Sequence, residues 1–360
     1  MVQESIKKEF DLIFQFGVIP EQWKHTILVM IPKVDKPKKI TEFRPIALCN
    51  VIYKIFAKLL VNRLRGILNK IISVEQNAFI PGRYLHDSIL TLNEVVNTVN
   101  RSKSKYPIVI LKLDLEKAYD RVDWSIVLKI LEKMGMLIKI RKWIEACLMG
   151  VSYSCKVNGV SSRSFGSNKG IRQGDSLSPY LFIIMEQLLT TLVNYAVNKK
   201  DIDVFKIGNT VISHSLFADD MVFFIKGNKK SCKNLVAVLE KYCLATGQKV
   251  NMEKSTILFP ENCKTEVKQR ICKDLNIKEG CYPLLYLGTY ISPKRLEKKF
   301  QMKLVHKAKG KMESWSGNQL TQAGKCVMLN AMVNSLPMHS LMTSWVSESA
   351  IKEIVKLEKT

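Results

Sequence analysis

Two adjacent carboxylates, Asp219 and Asp220, interrupt an apolar segment that runs from Leu216 to Ile225. Charge set into such a stretch must sit at a strand end or be neutralised, because moving an ionised group out of water is costly. Phe217-Ala218 precedes the pair and Met221-Val222-Phe223-Phe224 follows it. This pattern predicts two short β-strands joined by a tight turn with the aspartates at its tip. A lone Asp-Asp turn is most often a solvated hairpin. A third carboxylate changes that reading, since Asp114 ends the apolar run Ile108 to Leu113 and a second strand then delivers an aspartate at its carboxyl end. Two such strands side by side bring Asp114, Asp219 and Asp220 to one point. Like charges that close raise one another's pKa, and such a cluster is stable mainly when it binds hard divalent cations through oxygen. The inference is a two-metal site, of the kind that holds two ions about 3.5–4 Å apart across a phosphoryl displacement.

The chain of 360 residues is 47% hydrophobic, enough for a packed core and more than one lobe. Lys and Arg number 56 against 32 Asp and Glu, a formal net charge of +24. That excess favours a polyanionic partner, nucleic acid ahead of an anionic membrane surface. No uninterrupted apolar stretch is long enough to span a bilayer, and Glu4, Lys7, Lys8 and Glu9 come too early for a cleavable signal pattern. A soluble intracellular protein is expected, nuclear or cytoplasmic, with no membrane partner. The nine cysteines form no C-x-x-C pair and are odd in number, so reduced core thiols are expected rather than a zinc ribbon or a disulfide framework. Cys263, Cys272 and Cys281 are evenly spaced, but no histidine lies among them.

Helical patterns frame the carboxylate strands. After Asn50, positions Ile52, Ile55, Phe56, Leu59, Leu60, Leu64, Ile67 and Leu68 form a one-faced stripe, and Ile89, Leu92, Val95, Val96 and Val99 mark a second helix ended by a basic loop from Arg101 to Lys105. Asp123 is placed to cap a helix that Gly135 stops. Ser178-Pro179 opens another, with serine as cap, and Ser231 to Gly247 repeats the design after the Asp-Asp hairpin. The order of strand, helix, helix, hairpin, helix predicts an α+β fold on a small sheet. From Lys294 to Met312 eight basic residues face the single acid Glu297. Runs of this kind are usually solvated helical faces, but the overall positive excess favours a surface that tracks a phosphate backbone.

In this order the chain carries Leu28-Val-Met-Ile-Pro-Lys33, Phe43-Arg-Pro-Ile46, Gln76-Asn-Ala-Phe-Ile-Pro-Gly-Arg83, Leu113-Asp-Leu-Glu-Lys-Ala-Tyr-Asp120, Gly170-Ile-Arg-Gln-Gly-Asp175, Phe217-Ala-Asp-Asp220, Gly247 to Ser255 and Tyr286-Leu-Gly288. With these blocks it resembles the reverse transcriptase domain of non-LTR (LINE-type) retrotransposons, especially those common in plant genomes. The stretch from Trp315 through Pro337 also resembles the region after the palm in that family.

The resemblance implies a right-hand polymerase. Residues 1–105 would form an amino-terminal extension and the fingers, 106–290 a palm with a small antiparallel sheet carrying the aspartates, and 291–360 the thumb and the start of a downstream region. It implies that Asp114, Asp219 and Asp220 are the catalytic residues and hold two Mg²⁺ ions, with Mn²⁺ as a substitute. It further implies that Lys33 and Arg44 contact the incoming triphosphate, that Gln173 and Gly174 lie against the nascent base pair, and that Tyr119 excludes a ribose 2′-hydroxyl. Phe217 and the Tyr286-Leu287-Gly288 turn would support the primer end, and Lys254 matches a lysine block of less defined role. The implied partners are an RNA template, a DNA primer and dNTPs, and nothing in the pattern sets an oligomeric state.

Ser176 departs from the family, which usually has proline after Gly-Asp. The upstream endonuclease and downstream zinc-binding or RNase H segments of the family's larger polyproteins are not visible in these residues. Two other readings share parts of the pattern: a group II intron maturase-type protein, which normally adds a basic splicing domain after the thumb, and a non-catalytic nucleic-acid-binding relic, against which the intact aspartates argue. A viral RNA-dependent polymerase fits less well, because Tyr119 suits deoxynucleotide selection and those enzymes generally have glycine where Ala218 stands.

Overall fold

The structure is a computed structural model that describes residues 2–101, 106–313, 321–333, 341–343 and 346–358. It opens with α1 (Val2–Phe16), the short α2 (Glu21–Lys24) and the antiparallel pair β1 (Thr26–Pro32) and β2 (Phe43–Cys49). Asn50 accepts a hydrogen bond from the Ile52 amide and so starts α3 (Val51–Ile71). The buried face of α3 runs through Tyr53, Phe56, Leu60, Leu64 and Leu68, whereas Ile55 and Leu59, expected in the stripe, are 45% and 37% exposed. A spacing of four from Ile55 to Leu59 sets both on one flank, turned away from the face that Tyr53, Ala57 and Val61 complete. Next come α4 (Leu85–Arg101), β3 (Ile108–Leu113), α5 (Trp124–Lys133), α6 (Ile138–Leu148) and the strands β4 (Ser152–Val157), β5 (Val160–Ser161) and β6 (Phe165–Gly166). Most of the expected basic loop, 102–105, lies outside the described residues. β4 joins β1 in parallel and carries β5 and β6 antiparallel, completing a five-stranded sheet at the amino-terminal end of the molecule.

The second half runs α7 (Ser178–Asn198), the hairpin β7 (Phe205–Ile207) and β8 (Thr210–Ile212), β9 (His214–Phe217), β10 (Asp220–Lys226), α8 (Lys229–Thr246), β11 (Thr256–Leu258), α9 (Thr265–Leu275) and β12 (Lys278–Glu279). After the hairpin β13 (Leu284–Tyr286) and β14 (Thr289–Ile291) come α10 (Lys298–Glu313), α11 (Gln322–Met328) and, last, α12 (Glu348–Glu358). Much of the Trp315 to Pro337 stretch, at 315–320 and 334–337, lies outside the described residues.

Asp123 caps α5 as expected, accepting from the Ser125 and Ile126 amides, and Gly135 at φ +76° ends it. Neither of the two expected serine caps is observed. Ser178 is already the first residue of α7, and it is the Asp175 carboxylate that takes the Leu177 amide at 3.2 Å. For α8 the cap is Asn228, whose side chain accepts from the Ser231 amide, while the Ser231 hydroxyl turns to the Asp203 amide at 2.9 Å. α7 thus starts without a side-chain cap, and α8 starts three residues earlier than the serine would place it, so that Ser231 lies inside the helix.

The central sheet has the order β12-β11-β3-β10-β9, antiparallel except for the short β11–β12 pair at one edge. Its strands read as continuous apolar runs because both faces are covered. Val109, Leu111 and Leu113 of β3 and Met221, Phe223 and Ile225 of β10 point into the main core with α3, α7 and α8. Ile108 and Ile110, with Val222 and Phe224, point the other way into a second core under α4 and the β13–β14 hairpin. The alternation is the ordinary period of two, made invisible in the sequence by burial on both sides. By length and mean hydropathy α7 is apolar enough to cross a membrane, but Glu186 and Gln187 interrupt its apolar run and 56% of its most apolar window is buried in the main core.

Candidate active site

The turn between β9 and β10 lifts Asp219 and Asp220 to the end of the central sheet, and the β3–β10 register places Leu113 opposite Met221. Continued by one residue, that register sets Asp114 opposite Asp220, at cross-strand distance. Asp219 is exposed at the tip and Asp114 and Asp220 are partly exposed. Surrounding protein desolvates the Asp219 carboxyl and raises its pKa, the Asp114 charge raises it further, and Arg44 opposes. Asp220 is raised chiefly by burial, lowered by Lys112 and raised again by Asp219 and Asp114. The Asp114 charge is thus felt at both Asp219 and Asp220, and the Asp219 charge at Asp220.

Two lysines partly offset this charge. Lys112 Nζ stands 3.8 Å from Asp220 Oδ1 and Lys254 Nζ stands 3.8 Å from Asp114 Oδ2. Lys112 also donates to the Leu285 carbonyl at 3.2 Å, which ties the β13–β14 hairpin to the site. Lys254 lies in the Gly247 to Ser255 strap, which leaves α8 through Gly247 at φ +74°. Along that strap the Asn251 amide donates to the Asp114 carbonyl at 2.8 Å, and Asp114 in turn donates its amide to Ser255 Oγ at 3.2 Å. Among the described residues no three side-chain donors already converge as a finished cage. The donor set is nevertheless hard oxygen and negative, of the kind that would fit divalent cations.

Tyr119 stacks on Phe182 with ring centroids 5.2 Å apart, and its hydroxyl is pushed up to about 12 by burial and by the Asp219 charge. Its carbonyl accepts the Ile171 amide at 2.9 Å, so the 170–175 loop is stitched to it. That loop also reaches the amino-terminal sheet, because the Ala47 amide of β2 donates to the Gln173 carbonyl at 2.7 Å. Gly174 at φ +116° is required at this contact: a Cβ there would lie 2.8 Å from the Ala47 carbonyl oxygen. Both Gly170 and Gly174 allow close backbone approach within the protein, to Asp120 and Ala47. Arg44 projects from β2 with its charge felt at Asp219, while Lys33 follows β1, donates from Nζ to the Thr41 carbonyl at 3.0 Å and is felt at Asp120. Phe217 is partly buried against the main core. Tyr286 is wholly buried in the second core, which leaves the turn at Leu287 and Gly288 as the only part of that block near the surface.

Residues 31–291 match the family described as reverse transcriptase (RNA-dependent DNA polymerase). The chain belongs to the reverse transcriptase family. It is 23% identical over 326 residues to the transposon TX1 uncharacterized 149 kDa protein of Xenopus laevis, covering 89% of this chain and 24% of that protein. It is 28% identical over 266 residues to the retrovirus-related Pol polyprotein from type-2 retrotransposable element R2DM of Drosophila melanogaster, covering 72% and 23%. The reverse transcriptase chain thus spans about a quarter of the length of these curated relatives. A solved telomerase from Candida tropicalis shares the fold at 15% identity and a TM-score of 0.52, over 95% of this chain and 58% of that one. The right-hand polymerase architecture follows from this likeness and from the antiparallel sheet that carries the aspartates.

Several residues around the candidate site carried no role in the sequence. Arg172 and Asp175, each with a side chain 4% exposed, form an ion pair at 3.3 Å. The Tyr53 hydroxyl of α3 donates to the same Asp175 oxygen at 2.8 Å, and the Arg172 guanidinium lies 4.0 Å over the Tyr53 ring. Arg172 also donates to the Cys147 carbonyl at 3.0 Å, so the cluster locks α3, α6 and the 170–175 loop together. Their place inside the Gly170 to Asp175 block was the one available signal. Glu186 of α7 is fully buried and takes a short hydrogen bond from the Tyr242 hydroxyl. Burial pushes its carboxyl up to about 8, the Tyr242 bond opposes this, and the Asp219 charge adds to it.

Proposed function

We propose that this chain is the RNA-directed DNA polymerase core of a non-LTR retrotransposon, extending a DNA primer along an RNA template with dNTPs. The observation that supports it best is the meeting of Asp114 with Asp219 and Asp220 at one end of the central sheet, in a chain whose family match spans residues 31–291. Residues 1–105 serve in this reading as amino-terminal extension and fingers, 106–290 as palm, and 291–360 as thumb and the start of a downstream region. Asp114, Asp219 and Asp220 would hold two Mg²⁺ ions, with Mn²⁺ as a substitute. Bound there, the ions supply charge neutralisation and an activated primer hydroxyl for phosphoryl transfer. Arg44 and Lys33 bind and orient the triphosphate, and Gln173 and Gly174 hold the loop that faces the nascent pair. The work is positioning and charge compensation. Primer extension by purified protein on a poly(rA) template with an oligo(dT) primer, with and without Mg²⁺, tests the reading; no product under any divalent ion overturns it.

Tyr119 is the sugar gate in this reading. Its ring is fixed by the stack on Phe182, so it excludes a 2′-hydroxyl sterically. Tyr119→Ala is expected to admit ribonucleotides that the parent rejects. The ratio of dNTP to rNTP incorporation in single-nucleotide addition measures this, and an unchanged ratio would leave Tyr119 with core packing alone.

The basic segment serves as a phosphate-tracking surface. Val305 and Ala308 of α10 bury against Ala350 and Ile354 of α12, which leaves Lys298, Lys299, Lys303 and Lys307 exposed. Lys299 pairs with Glu297 at 2.7 Å and Lys303 donates to the Tyr290 hydroxyl at 2.8 Å, so these two exchange a local partner for phosphate. If about four cations contact phosphate, the salt slope of log K carries about −3.6 from this segment, or on the order of a hundredfold in affinity between about 50 and 200 mM salt. Changing all four to glutamine is expected to flatten that slope and shorten products. Fluorescence anisotropy across a salt series reads it out, with identical slopes as the refuting result.

A further inference from the structure

Gln76 is 2% exposed and pairs in parallel with Leu216 at the edge of the central sheet. Two backbone bonds make the pairing, from the Leu216 amide to the Glu75 carbonyl at 2.7 Å and from the Asn77 amide to the Leu216 carbonyl at 2.9 Å. Beyond this short ladder the Gln76 side chain reaches the aspartate turn. Its Oε1 accepts the Ala218 amide at 3.1 Å and the Ala78 amide at 3.0 Å. Ala218, directly before Asp219, has φ +51°. That left-handed conformation is unfavourable for any residue with a Cβ and persists only where the surroundings hold it. The hydrogen bond to Gln76 is such a hold.

The arm is itself anchored. Arg83 donates to the carbonyls of Ile72 at 2.9 Å, of Ser73, and of Gln76 at 2.6 Å, which fixes the loop from which Gln76 springs. Asn77 Nδ2 donates to Ser88 Oγ at 2.8 Å and ties the same loop to α4. Gln76 Nε2 is buried and has no partner among the described residues. An apolar side chain would fill this place without leaving a donor buried, so what the position uses is the acceptor oxygen.

We propose that Gln76, braced by Arg83, is a positioning residue for the catalytic turn: its Oε1 fixes the Ala218 amide and with it the direction in which Asp219 leaves the turn. This rests on the reading of Asp219 as a catalytic carboxylate and extends it to a loop 142 residues away in sequence. A misplacement of the carboxylate by about 1 Å costs on the order of a hundredfold in rate.

The test compares parent, Gln76→Leu and Gln76→Glu by hydrogen exchange of the peptide spanning 214–222, with α8 as internal control, and by single-nucleotide addition with separate kcat and KM. Gln76→Leu is expected to speed exchange at the turn about tenfold, the worth of one hydrogen bond, while α8 keeps its protection. Its kcat is expected to fall about a hundredfold with KM for dNTP and duplex affinity within about threefold of the parent. Gln76→Glu keeps an oxygen in place and is expected to keep the turn protected. Should the leucine variant not fold, Gln76→Asn, whose shorter arm withdraws the oxygen from Ala218, is measured in the same way. Unchanged exchange at the turn, or an equal rise in α8, overturns the brace; a kcat within about threefold of the parent despite fast turn exchange overturns its role in positioning. A parent that adds no nucleotide refutes the polymerase reading instead, and the exchange data still decide whether Gln76 braces the turn.

Discussion

Asp219→Asn is expected to abolish primer extension, lowering the rate of nucleotide addition by about a thousandfold or more, while template-primer affinity stays within about threefold of the parent. The carboxylate stands at the tip of the β9–β10 turn, and its raised pKa records desolvation by the protein around the turn together with the Asp114 charge. Asparagine keeps the shape and one acceptor oxygen but removes the charge on which a pair of divalent ions depends. The turn itself is held by backbone pairing of Phe217 with Asp220 and by the Gln76 side chain, neither of which involves the Asp219 carboxylate. Loss of activity therefore reports the charge rather than unfolding. Extension within a few-fold of the parent would show that Asp219 holds no essential ion.

Arg172→Leu is expected to destabilise the fold by about 3–5 kcal/mol, because it leaves Asp175 buried without its cation. Asp175 would still accept from the Tyr53 hydroxyl and the Leu177 amide, but the negative charge would lose its only close counter-ion among the described residues. Tyr53→Phe removes one neutral donor to a charged acceptor and is expected to cost less, about 1.5–3 kcal/mol. Urea unfolding measures both, and a Leu variant within about 1 kcal/mol of the parent would mean that the pair is not buried in solution. The consequence for function is geometric. The same 170–175 loop carries Gln173 and Gly174 against β2 and bonds to the Tyr119 carbonyl. Loosening Arg172 releases the loop that faces the proposed nucleotide position, so a drop in dNTP affinity is expected to accompany the drop in stability.

Much of this was legible in the chain itself. Strands ending in Asp114 and flanking Asp219-Asp220 followed from apolar runs of strand length with charge at one end, and the Asp123 cap and the Gly135 and Gly247 stops followed from local hydrogen bonding and left-handed backbone. The blocks resembling a reverse transcriptase domain gave the order in which these parts assemble. Where the sequence misled, the helix began earlier than the expected serine cap: α8 starts after Asn228, which leaves Ser231 inside it, and α7 takes in Ser178 as its first residue with no side-chain cap. The stripe on α3 misled too, since Ile55 and Leu59 fit a helical period yet lie off the face that Tyr53 and Phe56 bury.

By itself, then, the sequence determined a set of local units: the apolar strands that lead to the three carboxylates and the helices α3, α4, α5, α7 and α8 that frame them. These depend on backbone sterics and on spacing within a dozen residues. Tertiary structure alone decided which buried polar group meets which partner. Tyr53 finds Asp175 across 122 positions and Gln76 finds Ala218 across 142, while Lys254 comes to stand by Asp114 and Lys112 turns to Asp220. A buried polar atom must be satisfied by whatever the packed chain brings within about 3 Å of it. That choice is made by the folding of distant segments onto one another, and no local pattern encodes it.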